Sequence, residues 1–268
     1  MLDTNSATLF GLLDAAREAA RLGAAVLEEW RRRFQVHEKA RFDLVTDADL
    51  ASQKAIREFL ARRYPDHGFL GEEDPMAQAR PGAEAPPTWI VDPLDGTTNY
   101  VHDCPLYCVS IGLQVAGELV VGVVFDPCRQ ELFAAARGQG AWLGTQPLRP
   151  SRAARLEEAL LATGFPPDLR GQERTLDWWR YFSLRTRSLR RTGSTALNLA
   201  YVAAGRFDGY WAFDNHVWDV AGATVLIREA GGVISNVDGS AYDPYTPDAL
   251  ASNGPLHPVL LDALSHGP

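Results

Sequence analysis

The sequence is poor in lysine, in cysteine and in long apolar runs. Of 26 Lys and Arg residues only Lys39 and Lys54 are lysines, so arginine carries nearly all the positive charge. Against 34 Asp and Glu this leaves a net charge of −8. No nucleic-acid partner is expected, because the footprint of such a partner is a basic excess. Three cysteines, Cys104, Cys108 and Cys128, are too few and too unevenly spaced for a disulfide framework, and no second Cys/His pair stands at zinc spacing from them. A reducing compartment, the cytoplasm, is the expectation. No stretch approaches the ~18 apolar residues of a membrane span, and Asp3, Asp14, Arg17 and Glu18 break the N-terminal apolar pattern that a signal peptide would need.

What is present has globular proportions. Hydrophobic residues make up 46% and charged residues 22%, which leaves disordered, collagen-like and coiled-coil classes without compositional support. A chain of 268 residues at a prior of ~150 per domain makes two domains or one large layered one. The expected division is a subdomain over 1–150, with two N-terminal helices, an antiparallel sheet and a metal loop, and a second over 151–268 that completes the site.

Leu9, Leu12, Leu13, Ala16, Ala20, Leu27 and Trp30 recur at helical spacing and predict a long amphipathic helix over about 6–34. Thr46-Asp47-Ala48-Asp49 resembles a capping box and opens a second helix that Arg63-Tyr64-Pro65 ends. Two helices are therefore expected before any strand. Strands are predicted at 68–71 and 89–91, separated by a Pro/Ala-rich, mobile loop from Pro75 to Pro87. A hairpin over 107–125 continues as a meander through 143. The second half alternates, with strands at 160–163 and 209–213 and helices near 171–187, 194–204 and 217–230, the last ended by Gly231-Gly232.

The chemistry concentrates in Trp89-Ile90-Val91-Asp92-Pro93-Leu94-Asp95-Gly96-Thr97-Thr98-Asn99. An apolar strand delivers two carboxylates into a Gly-Thr turn. Pro93 restricts the backbone between them, Gly96 allows close approach to a ligand, and the amides that follow can face an anion. Two carboxylates ~4 Å apart repel by about 4 kcal/mol at an effective dielectric near 20. A shared proton or a divalent cation relieves this, and hard oxygen ligands favour Mg²⁺, with Mn²⁺ or Ca²⁺ as substitutes. The alternate-residue spacing and terminal Glu of an EF-hand are absent. A chance match to the six specified positions is on the order of 10⁻⁸ per start position.

With Asp43-Leu44-Val45-Thr46, Gly71-Glu72-Glu73, Asp92 to Asn99, Gly193-Ser194-Thr195-Ala196-Leu197-Asn198 and Trp218-Asp219-Val220-Ala221-Gly222 in order, the sequence resembles the inositol monophosphatase family of Mg²⁺-dependent, lithium-sensitive phosphatases. The resemblance runs through most of the chain. It implies an α+β fold, a layered α/β/α/β/α sandwich of the type shared with fructose-1,6-bisphosphatase, and commonly a homodimer. It implies two or three Mg²⁺ ions held by Glu72, Asp92, Asp95, Asp219 and the Leu94 carbonyl, with Mn²⁺ an alternative, Li⁺ inhibitory and Ca²⁺ a non-productive occupant. Thr97, backed by Asp49, and Glu72 take the catalytic roles around an attacking water. Asp95, Gly96, Thr97, Gly193, Ser194, Thr195 and Asp219 contact the substrate.

Each residue has a plainer explanation from its local sequence. Asp49 can be the cap of its own helix, and Asp219 can be dipole compensation. Glu73 has no independent support. His102 and His216 flank the motifs without metal-ligand spacing. Asp-x-x-Asp differs from the Asp-x-Asp of enzymes that form an aspartyl-phosphate, so direct attack by activated water is expected. Inositol-handling members commonly carry a Glu seven residues before the W-D aspartate, where this sequence has Ala212, with Asp214 nearby. Lys39 stands one residue out of register with a family lysine near the water. Inositol 1-phosphate is the leading expected substrate. Histidinol phosphate, fructose 1,6-bisphosphate and a nucleotide 3′-phosphate are the alternatives, and a regulatory binding protein on the same scaffold is the non-enzymatic one.

Overall fold

The computed structural model describes residues 6–74, 80, 82 and 84–267. Helix α1 (Ser6–Trp30) buries Leu9, Leu12, Leu13, Ala16, Ala20 and Leu27, the apolar stripe seen in the sequence. It stops short of 34 because the chain turns there, with Arg32 at φ 64°. A hairpin follows, β1 (Val36–Ala40) and β2 (Asp43–Thr46), paired antiparallel. It corrects the expectation that two helices precede any strand. Every residue of β1 is exposed, so no buried alternation marks it. Helix α2 (Asp47–Arg63) begins at Thr46 with both halves of a capping box.

Strands β3 (Gly68–Gly71) and β4 (Thr88–Asp95) run parallel. Residues 75–79, 81 and 83 of the expected loop between them lie outside the described residues. After the short α3 (Thr97–Val101) come β5 (Cys108–Val115), β6 (Glu118–Asp126), β7 (Glu131–Ala136), β8 (Ala141–Leu143) and β9 (Gln146–Pro147), which continue from β4 as an antiparallel meander. Together β3 to β9 form a seven-stranded sheet in chain order.

The second half supplies β10 (Leu160–Thr163), α4 (Glu173–Ser183), β11 (Ser188–Arg190), α5 (Thr195–Ala203), β12 (Gly209–Ala212), α6 (Val217–Ala230), β13 (Val233–Ser235), β14 (Ala249–Ser252) and α7 (His257–His266). Its five strands lie in the order β11-β10-β12-β14-β13. The helix expected to reach 187 ends at Ser183, and the residues that follow enter edge strand β11.

Alternation of side chains across the strands sorts the core into layers. Trp89 and Val91 of β4 face the α1 and α2 side, with Leu27, Ile56 and Leu60. Ile90 between them faces Val220, Leu226 and Ile227 of α6 and Leu199 of α5. In β12, Tyr210 and Ala212 face those same helices, whereas Trp211 packs with Phe182 of α4 and Leu260 of α7. Full burial of such a side chain is worth about 1.5–3 kcal/mol. The result is the expected α/β/α/β/α sandwich.

One contact between layers sets the position of the site. A Cβ on Gly122 would lie 2.0 Å from the Gly222 carbonyl oxygen, and one on Gly222 would lie 2.9 Å from the Val123 carbonyl. Helix α6 therefore rests with its backbone against β5 and β6. This fixes the height of Asp219, which lies one turn closer to the helix start.

Candidate active site

Strand β4 ends in a bulge. Asp92 pairs with Ser110 and Asp95 with Cys108, so Pro93 and Leu94 fall outside the ladder, and the missing proline N–H costs nothing there. Asp92 folds back to accept the Leu94 amide at 2.9 Å, and Ser52 Oγ donates to the Pro93 carbonyl at 3.2 Å. Gly96 then turns the chain at φ 102°, a left-handed conformation that glycine adopts without penalty. A side chain there would also meet the Leu106 and Gly193 carbonyls at 2.9 and 3.3 Å. Thr97 opens α3, and its hydroxyl faces Asp49 Oδ1 at 3.1 Å and the Leu94 carbonyl at 3.2 Å.

Asp49 caps its own helix and also lies against Thr97. Its Oδ2 accepts the Thr46 amide at 2.8 Å and the Thr46 hydroxyl at 2.5 Å, while Oδ1 takes Thr97. It is fully buried. Burial lifts its carboxyl to about 6, against the pull of the Thr46 and Thr97 bonds.

Glu72 sits in the turn after β3. Asp74 holds that turn by accepting the Gly71 amide at 3.0 Å, and Gln53 accepts the Glu73 amide at 3.0 Å. From β1, Lys39 Nζ reaches Glu72 Oε1 at 2.8 Å and Glu73 Oε1 at 2.6 Å. Burial alone would lower the Lys39 ammonium, but the two glutamates outweigh it and hold the group above its usual range. Glu73 is raised to about 7, first by burial and then by the Glu72 charge.

The second half of the chain grips the first through Asp95. Ser194 Oγ and the Ala196 amide each donate to Asp95 Oδ2 at 2.6 Å, and the Thr195 amide donates to Oδ1 at 3.1 Å. Asn99 Nδ2 adds a bond to the Thr192 carbonyl at 2.8 Å. Asp219 accepts the His216 amide at 2.7 Å, which caps α6, and His216 stacks on Trp218. Burial raises Asp92 well above its ordinary value, and the charges of Glu72, Asp95 and Asp219 add to the effect. These four carboxylates therefore share one electrostatic environment. Among the described residues, no three acidic, His or Cys side chains are gathered tightly enough to enclose an ion outright.

Two adjoining cavities open here. The smaller, about 330 Å³, is bordered by Gly96, Thr97, Gly193, Ser194 and Arg191. The wider, about 1020 Å³, is bordered by Lys39, Arg41, Asp95, Asp214, His216 and Asp219. Glu72, Asp43, Phe165 and Thr195 line both. Every side chain expected at the site thus lies in or directly behind one cleft, with Asp92 and Asp49 behind it.

The inositol monophosphatase family profile matches residues 11–266. The chain belongs to that family. It is 43% identical over 262 residues to an inositol-1-monophosphatase of Synechocystis sp., covering 96% of this chain and 89% of that one. The fold is similar to that of the extragenic suppressor protein suhB from Bartonella henselae, with a TM-score of 0.90 and 36% identity over 96% of this chain and 100% of the other. It is also similar to an IMPase/NADP phosphatase solved with Mg²⁺ and phosphate, with a TM-score of 0.84, 25% identity and 97% of each chain covered. The inositol monophosphatase family is one of phosphatases, and this chain is a phosphatase of that family; members of the family are generally metal-dependent.

Other residues enter this inositol monophosphatase cleft that the sequence left aside. Lys39 stands one position out of register with the family lysine, yet β1 carries a bulge between Glu38 and Ala40, and a bulge re-aims the side chain it contains. Asp43 faces both Lys39 and Glu72, and burial raises its carboxyl. Arg191 borders the smaller cavity with its guanidinium 5.6 Å from the Phe165 ring. Tyr210 is buried behind Thr195. No local pattern marks Arg191 or Tyr210, whereas Asp43 opens the Asp43-Leu44-Val45-Thr46 motif. Asp214 lines the wider cavity, and His102 is exposed.

Proposed function

We propose that this phosphatase hydrolyses a small phosphate monoester, inositol 1-phosphate first among them, with divalent magnesium as cofactor. The reading is carried by one observation. Asp92 and Asp95 are 2% and 8% exposed, have no Lys or Arg partner among the described residues, and share their field with Glu72 and Asp219. Buried carboxylates of like charge are relieved by a shared proton or a compensating cation, and an all-oxygen donor set fits a hard divalent ion. Glu72, Asp92, Asp95, Asp219 and the Leu94 carbonyl would hold it. Magnesium bound there supplies positive charge to the phosphoryl oxygens and lowers the pKa of a coordinated water.

The chain's own groups set the geometry of attack. The Thr97 hydroxyl directs its proton to Asp49 or Leu94, so its lone pairs are left to accept a hydrogen bond from a water and orient it. Gly96 and Thr97, at the first turn of α3, border the smaller cavity, and their amides would suit an anion there. The alcohol would lie toward Thr195 and the wider cavity. By the family resemblance the enzyme would work as a cytoplasmic homodimer, with Li⁺ inhibitory and Mn²⁺ able to replace Mg²⁺. No described helix is long and apolar enough to cross a membrane.

The test is phosphate release from a panel of esters: myo-inositol 1-phosphate, histidinol phosphate, fructose 1,6-bisphosphate and a nucleoside 3′-phosphate. The expected result is Mg²⁺-dependent turnover, greatest on the inositol ester, that chelation abolishes. Turnover far greater on another ester would replace inositol 1-phosphate as substrate. A protein that neither binds Mg²⁺ nor hydrolyses any ester would be a binding protein on this scaffold.

A further inference from the structure

The hydroxyl proton of Thr195 can be located by counting donors and acceptors. Tyr210 Oη lies 3.0 Å from Asn215 Oδ1 and 3.1 Å from Thr195 Oγ1. The Asn215 amide is fixed end for end, because its Nδ2 donates to the Pro247 carbonyl at 2.8 Å. Turning it over would set two oxygens against each other. With Oδ1 facing it, the Tyr210 phenol must donate to Asn215. Tyr210 is buried completely and has only one proton. Its contact with Thr195 therefore requires the threonine to donate.

The Thr195 proton thus points into the protein, and the amide of Thr195 is committed to Asp95 Oδ1 at 3.1 Å. What Thr195 offers to the cavities that it lines is hydroxyl lone pairs. An ionised phosphate oxygen only accepts hydrogen bonds and cannot be their partner. A hydroxyl or amine can. Gly164 keeps this wall open, because a Cβ there would lie 2.8 Å from Tyr210 Oη and 3.5 Å from Thr195 Oγ1.

We infer that Thr195 is a specificity residue whose hydroxyl oxygen accepts a hydrogen bond from a hydroxyl or amine on the alcohol part of the substrate. The inference rests on the phosphatase reading above and refines it. The phosphoryl group lies away from Thr195, toward Gly96 and Thr97, and the Tyr210–Asn215 pair behind Thr195 sets the polarity of its contact.

The test is the ratio of kcat/KM for myo-inositol 1-phosphate to that for cyclohexyl phosphate, which lacks every ring hydroxyl. It is measured on the wild-type enzyme, Thr195→Val and Thr195→Ser. Valine keeps the branched shape and removes the acceptor. A neutral hydrogen bond is worth about 0.5–1.5 kcal/mol, so Thr195→Val should shrink the ratio about 2- to 12-fold, and Thr195→Ser should restore it. An active Thr195→Val enzyme with an unchanged ratio, or with both esters slowed alike, overturns the assignment alone. A wild-type enzyme that hydrolyses neither ester overturns the reading of inositol 1-phosphate as substrate and this assignment together.

Discussion

The Thr97 hydroxyl lies 3.1 Å from Asp49 Oδ1, a contact between residues 48 positions apart. It joins the start of α2 to the start of α3 and fixes which way the threonine can present its lone pairs. If Thr97 orients the attacking water, Thr97→Val should lower kcat by about 10²-fold with little change in KM, and Thr97→Ser should recover part of the loss. Steady-state kinetics on inositol 1-phosphate check this. A valine variant with wild-type kcat would remove Thr97 from the chemistry.

Lys39 bonds Glu72 at 2.8 Å, so its ammonium opposes a cation that uses the same carboxylate. Lys39→Met should lower the Mg²⁺ concentration needed for half-maximal rate several-fold, even if the maximal rate falls. The check is a Mg²⁺ titration of both enzymes. A higher Mg²⁺ requirement in the variant would mean that Lys39 assists ion binding.

Helix α6 leaves no room at Gly222, where a Cβ would meet the Val123 and Ile111 carbonyls at 2.9 and 3.0 Å. Both contacts are backbone and cannot rotate away. Gly222→Ala should cost about 1–3 kcal/mol, measured by urea unfolding, and should slow turnover because Asp219 moves with the helix. A variant with native stability and rate would show that the layers can separate freely.

His257 lies between two serines. Ser235 Oγ donates to the Asn236 carbonyl at 2.7 Å, so it accepts from His257 Nε2 at 3.0 Å, and Nδ1 accepts from Ser252 Oγ at 2.9 Å. Burial lowers the folded pKa of His257 below the ordinary 6.5. Below that value the unfolded chain binds the extra proton. The contribution to stability is therefore complete above pH 6.5 and is lost as pH falls from there through the folded value. Unfolding midpoints at about pH 8 and about pH 5.5 should differ more for wild type than for His257→Asn. Equal differences would contradict the assignment. His67, which burial also lowers, contributes to the same slope in both proteins.

Much of this arrangement could be read from the sequence where residue type and spacing carried the signal. The limits of α6 followed from Val217 and from Gly231, whose φ is 89°, and the carboxylates Asp92 and Asp95 stood in one short run. Other features depend on partners distant in the chain. The β1–β2 hairpin is exposed throughout its first strand, so alternation could not reveal it. Its bulge at Lys39 is a matter of strand pairing, which hides behind a one-residue mismatch in linear register. No element past Gly232 was anticipated. Strands β13 and β14 are short and do not alternate, although Pro258 near the start of α7 is a usable helix signal. The donor direction at Thr195 depends on Tyr210, Asn215 and Pro247 meeting in space.

Diffraction from crystals soaked in Mn²⁺, whose anomalous signal locates it directly, tests the central claim most closely. The account places at least one ion within ligand distance of Asp92, Asp95 and Asp219, with Glu72 adjoining, and expects Asp95→Asn to weaken or abolish that peak. Manganese absent from the cleft, or held elsewhere and unaffected by Asp95→Asn, would contradict it.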